Sequence, residues 1–199
     1  MLARRVHAAR ATAGLAGLGS LPAPALAPRA RPDAAVDRVH PTASAALLVP
    51  VATVGTLAAS GVHLAMFPPH LRERASFGIF FVACSLGQLA WAERARRRPT
   101  VRWLLVGALA NAAVVALWAV TRTAGLPFGL LPEPEAVGAW DLACIVFETT
   151  AVGACLAGVR RPPGGAGPVP WPAWHPVAHA WAALAVTVLV LLSVVGGGH

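Results

Sequence analysis

The chain has 199 residues, 57% of them hydrophobic and 12% charged, with a mean hydropathy of +0.64. A soluble domain carries about 25% charged residues, so the solvent for most of this chain is lipid; its length supplies four or five spans of roughly 20 residues and little else. The formal net charge of +8 rests on arginine alone, and the arginines flank the apolar runs, which is what membrane orientation requires and excludes a nucleic-acid partner.

Residues 1–43 carry Arg4, Arg5 and Arg10, an apolar stretch that runs to Ala27, then Arg29, Arg31 and Arg38. The pattern mimics a signal peptide. Pro22, Pro24 and Pro28 interrupt it, however, and cleavage would reverse every later loop and place the most basic one outside. The segment is therefore read as an Arg-rich, disordered cytoplasmic tail, with a cleaved signal or an overextended gene start as the alternatives.

The first span is predicted over 44–66, with Pro50 near its start, where a missing backbone donor costs little. Gly55, Ala58, Ala59 and Gly61 predict close packing against neighbouring helices. Pro68 and Pro69 are expected to end this helix and to turn the chain into a second span over 77–92. Arg94, Arg96, Arg97, Arg98 and Arg102 follow, and this densest of the charge clusters assigns its loop to the cytoplasm, where it also meets anionic lipid. A third span over 103–120 returns outward, with Trp103 and Trp118 placed as interfacial belt residues. The loop beyond it, punctuated by Gly125, Pro127, Gly129, Pro132 and Pro134, cannot continue a helix. A fourth span covers 136–159 and is closed by Arg160 and Arg161. A Pro, Gly and Trp linker over 160–176 leads into the fifth span, 177–195, within a last segment 177–199.

The expected fold is an all-α integral membrane bundle of about five transmembrane helices, N-terminus inside and C-terminus outside, with 44–159 as a four-helix core. Multi-pass placement in the plasma membrane follows, with the lipid bilayer as first partner and a homo-oligomer or other membrane subunits as further ones. Cys84, Cys144 and Cys155 fall inside apolar runs; their odd number implies packing, not a disulfide framework. The chain has no P-loop, Rossmann, HExxH or CxxC motif and no convincing pairing of nucleophile and base, so an enzyme ranks third among the functional classes.

Polar groups within spans carry the functional signal, because each ionisable one costs about 2.5 to 3.5 kcal/mol to insert. Glu148 lies near the middle of the fourth span. Asp141 seven residues earlier and Cys155 seven later share its helical face, with Cys144 close by. Such a stripe can take a proton, a cation or a soft metal; alternatively Glu148 is neutral and hydrogen-bonds a neighbouring helix. Gln88 and Asn111 fall at similar depth, so a Gln88, Asn111 and Glu148 cluster is expected. Near the outer surface His63, His70, Glu73, Arg122 and Asp141 are expected to converge. His63, His70, Glu73 and Asp141 are candidate ligands for a metal ion such as zinc, copper or iron, with Arg122 tuning the field. A bis-His haem is disfavoured, because His63 lies at the outer end of its span and His175 and His179 at the inner end of theirs.

The run His63, Pro69, His70, Glu73, Gly78, Phe80, Phe81, Gln88, Trp91 and Ala92 is followed by Trp118, Arg122, Thr123, Gly125, Leu126, Pro127 and Gly129, then by Glu135, Val137, Gly138, Asp141 and Glu148. Over roughly residues 58–158 this pattern resembles a group of small, uncharacterised polytopic membrane proteins of high-GC actinobacteria. The resemblance implies a membrane bundle and points to the same polar positions, without bringing an activity. Two functions stay open: binding or conducting a metal ion or proton through the outer His and carboxylate cluster, or acting as a structural or accessory subunit.

Overall fold

The computed structural model describes residues 42–163 and 167–196; the predicted tail before Thr42 lies outside them. Five α-helices follow in order: α1 (Ala43–Glu73), α2 (Ala75–Arg97), α3 (Val101–Thr123), α4 (Ala139–Arg160) and α5 (Pro176–Gly196), the last preceded by a 3-10 turn at Trp171–Ala173. All five are long and apolar enough to cross a bilayer. The chain is an all-α, multi-pass membrane protein.

The prolines do not stop α1. Pro68 and Pro69 remove two backbone donors, yet the helix runs on to Glu73 and ends only at Arg74, whose backbone is extended. Tertiary contacts outweigh the lost bonds. The His70 ring lies on Phe81 of α2 with centroids 4.1 Å apart, and its Nδ1 bonds the Met66 carbonyl at 2.9 Å. Arg74 alone separates α1 from α2. So tight a hairpin needs Gly78, since a Cβ there would sit 2.8 Å from the Leu71 side chain. The 31 residues of α1 measure about 46 Å, against a hydrocarbon layer of ~30 Å, so its last turns reach past the lipid.

Other ends differ less. Helix α2 extends to Arg97, held by Glu93 pairing with Arg96 and Arg97 one turn on. Helix α4 starts at Ala139 because Asp141 accepts from the Gly138 backbone N–H at 2.8 Å and caps the first turn.

Register follows from the cross-contacts. Ser60 meets Ser85, Gly55 approaches Phe147 and Ala151, Gln88 meets Asn111, and Gly158 faces Leu104. Together with Leu71 at Gly78, Trp91 at Gly107 and Arg122 at Asp141, these make α1 to α4 successively antiparallel, with α4 antiparallel to α1. Helix α5 runs parallel to α1, since Ala46 accepts from the His175 N–H and Gly61 lies against Leu189. The bundle therefore has a hairpin end, with the α1–α2 and α3–α4 connections, and an arginine end, with Arg96 to Arg98, Arg160 and Arg161. Helix α1 is the central element: 67% of its most apolar window is buried, against 11% for α5. Gly55 permits this, because a Cβ there would stand 2.8 Å from the Phe147 carbonyl. Gly153, by contrast, faces open space.

Candidate functional site

Helix α1 carries Thr53, Thr56, Ser60 and His63, all buried, at alternating spacings of three and four that keep them on one face. That polar face is turned into the bundle. Ser60 Oγ bonds Ser85 at 3.0 Å, and Asn111 Nδ2 donates to Thr56 Oγ1 at 3.4 Å and to the Gly107 carbonyl at 2.8 Å. Gln88 Nε2 donates to Asn111 Oδ1 at 3.4 Å and to Glu148 Oε1 at 2.9 Å. The sequence-predicted trio of Gln88, Asn111 and Glu148 is thus joined by hydrogen bonds across α2, α3 and α4.

Glu148 is fully buried and lies roughly 14 Å along α4 from Ala139, at about 1.5 Å per residue. Its Oε1 also meets His63 Nε2 at 3.2 Å, and the same nitrogen lies 3.8 Å from Cys144 Sγ. Among the described residues, His63, Cys144 and Glu148 are the one group of three whose ligand atoms lie within 4.8 Å of one another. A tetrahedral zinc ion, with bonds of about 2.0 to 2.3 Å, separates nitrogen from oxygen by about 3.4 Å and nitrogen from sulfur by about 3.6 Å. The observed spacings of 3.2 and 3.8 Å fall close to those values. Glu148 Oε2 and His63 Nδ1 are buried and have no hydrogen-bond partner among the described residues.

Of the four metal ligands expected from the sequence, His63 alone belongs to this group. His70 is spent on Met66 and Phe81, and Glu73 is exposed at the end of α1. Asp141 caps α4 and pairs with Arg122 Nη2 at 2.7 Å, while Arg122 Nη1 pairs with Glu135. The charged residues thus sort into two tiers, an Arg122, Glu135 and Asp141 ionic cluster at the hairpin end and the His63, Cys144 and Glu148 group deeper in.

A cavity of about 300 Å³ joins the tiers, with His63, Cys144 and Glu148 as well as Arg122, Glu135 and Asp141 in its wall. It exists because α2 and α3 hold together chiefly in their arginine-end halves. There the Trp91 ring lies close against Gly107, donates to the Trp103 carbonyl at 2.7 Å, and packs with Ala92, Ala95, Leu104 and Ala108. Beyond Gln88 and Asn111, large side chains such as Phe81 and Trp118 face the gap. Leu126, Leu130 and Leu131 of the α3–α4 loop line its hairpin end; that loop is pinned by the paired Leu126 and Leu131 backbones and by an Arg74 bond to the Gly129 carbonyl at 3.3 Å.

His175 and His179 lie at the start of α5, at the arginine end, where His179 packs edge-on against Trp171 with centroids 4.5 Å apart. The three cysteines are unpaired. No family model matches the chain, and no curated protein or solved structure matches it either.

Proposed function

We propose that this membrane protein binds a divalent transition-metal ion, zinc by its donor set, at His63, Cys144 and Glu148, and admits it from the hairpin end. The observation that carries the reading is the convergence of one imidazole, one thiol and one carboxylate within 4.8 Å in the middle of the bundle. Imidazole with thiolate favours zinc or copper, and a carboxylate in the set favours zinc over cuprous ion.

Charge accounts for the position. A thiolate and a carboxylate around a dication sum to zero, so the loaded site avoids most of the cost of a bare charge in lipid. These ligands bind metal in their deprotonated forms, so binding releases protons and weakens in acid. Two carboxylates around the single Arg122 leave the hairpin-end cluster net negative and draw cations toward the cavity. On the other side the route stops at the apolar packing around Trp91 and Leu104. The site is a one-ended binding chamber in this conformation, and conduction requires α2 and α3 to part at Gly107. With the Arg94 to Arg98 segment assigned to the cytoplasm of the plasma membrane, the chamber faces outward.

A second reading rests on the Gln88 bonds to Asn111 and Glu148: Glu148 as neutral glue between helices in a structural or accessory subunit. Metal content of protein purified in mild detergent without chelator separates the two. Near-stoichiometric zinc in the wild type, lost in Cys144→Ser and kept in His70→Ala, is expected. Folded protein devoid of metal after incubation with zinc would leave the structural reading.

A further inference from the structure

Metal binding leaves part of the cavity unexplained. Trp118 Nε1 and Arg122 Nε are buried without a hydrogen-bond partner among the described residues, and both residues line the cavity one helical turn apart on α3. Each of these atoms is a donor only, and a buried donor left unpaired is costly. Phe77, Phe80 and Phe81 of α2 contribute rings to the same wall, so the space is aromatic with a few polar points, the composition of a small-molecule site.

We propose that this upper part of the cavity binds a neutral, planar ring compound bearing carbonyl acceptors, of the quinone class, taken from the bilayer. Three features define the ligand. Two donors without acceptors require acceptor oxygens. The guanidinium of Arg122 already faces two carboxylates, Glu135 and Asp141, so an anionic head group gains no charge partner and meets a net negative one. The whole cavity, down to the metal ligands, measures about 300 Å³, which leaves its upper part room for one or two fused rings and no larger macrocycle. The hydrogen bonds and packing that join α2 to α3 run from Trp91 at Trp103 to Gln88 at Asn111, and the cavity lies beyond them, so a tail passes to the lipid between the two helices.

The inference stands apart from the metal site. The test uses full-length protein in lipid nanodiscs and two probes of nearly equal shape: duroquinone, whose ring is fully substituted and does not alkylate cysteine, and durene, the same ring without oxygens. Equilibrium dialysis gives the affinity of each, corrected against empty nanodiscs. Duroquinone is expected to bind about tenfold or more tighter than durene, one hydrogen bond's worth. Trp118→Phe, which keeps the ring and removes one of the two donors, is expected to cut that preference severalfold, and Val114→Phe to exclude both probes by filling the cavity. Cys144→Ser is expected to lose zinc while keeping duroquinone, so that failure of one proposal does not imply failure of the other. Equal affinity for the two probes in the wild type, or a preference undiminished in folded Trp118→Phe, would overturn the proposal.

Discussion

The two halves of the bundle use the same helices to opposite ends. Toward the arginine end two large side chains meet glycines: the Trp91 indole lies where a Gly107 Cβ would be, and Leu104 approaches within 2.9 Å of a Cβ placed on Gly158. Toward the hairpin end the residues that face the gap are large on both sides, Phe77, Phe80 and Phe81 on α2 and Val114, Leu117 and Trp118 on α3, and the helices stay apart. Size pairing thus decides where the bundle is sealed. Polar chemistry follows, because groups such as Glu148 Oε2 and Trp118 Nε1, unpaired among the described residues, can be satisfied by what a cavity admits and cannot be in a close-packed seam.

The largest expected effect comes from sealing residues. Gly107→Val would drive methyls into an indole that its bond to the Trp103 carbonyl keeps from moving; we expect a loss of about 3 kcal/mol, the upper range for overpacking, read as a lower thermal midpoint in detergent. Next is Glu148→Gln, which keeps shape and removes a charged ligand: zinc affinity is expected to fall about a hundredfold, ~2.7 kcal/mol, by competition with a chromophoric chelator, with the midpoint little changed. Gln88→Leu leaves all three ligands but removes the donor that orients Glu148, and a loss of about tenfold in zinc affinity is expected. Gly153→Ala is the control. It faces open space, and stability is expected to stay within about 0.5 kcal/mol; a larger change would mean that this face is covered in an oligomer.

The spans were legible in the sequence because lipid tolerates only long apolar runs with satisfied backbones, and α2 to α5 differ from expectation by a few residues at their ends. The continuation of α1 through Pro68 and Pro69 was not, since it depends on Phe81 and Leu71 packing across a hairpin that proline propensity does not describe. Glu148, Gln88 and Asn111 stood out as polar residues at one depth, and the structure links them. Depth along a helix is countable from sequence; rotation about its axis is less so. Asp141, seven residues before Glu148, shares its face but lies about 10 Å nearer the hairpin end, where Arg122 engages it, while Cys144, one turn from Glu148, lies beside His63. A further signal was present in Thr53, Thr56, Ser60 and His63, whose three-and-four spacing marks the inward face of α1. The cavity left no comparable trace, because it arises from side-chain sizes on two helices at once.

The central claim, a metal held jointly by Cys144, His63 and Glu148, is tested most directly by the absorption spectrum of the cobalt-substituted protein. A thiolate-to-cobalt charge-transfer band with intense tetrahedral d–d transitions is predicted for the wild type and for His70→Ala, with the charge-transfer band absent in Cys144→Ser. A spectrum without the charge-transfer band in the wild type, or a band that survives in Cys144→Ser, would contradict it.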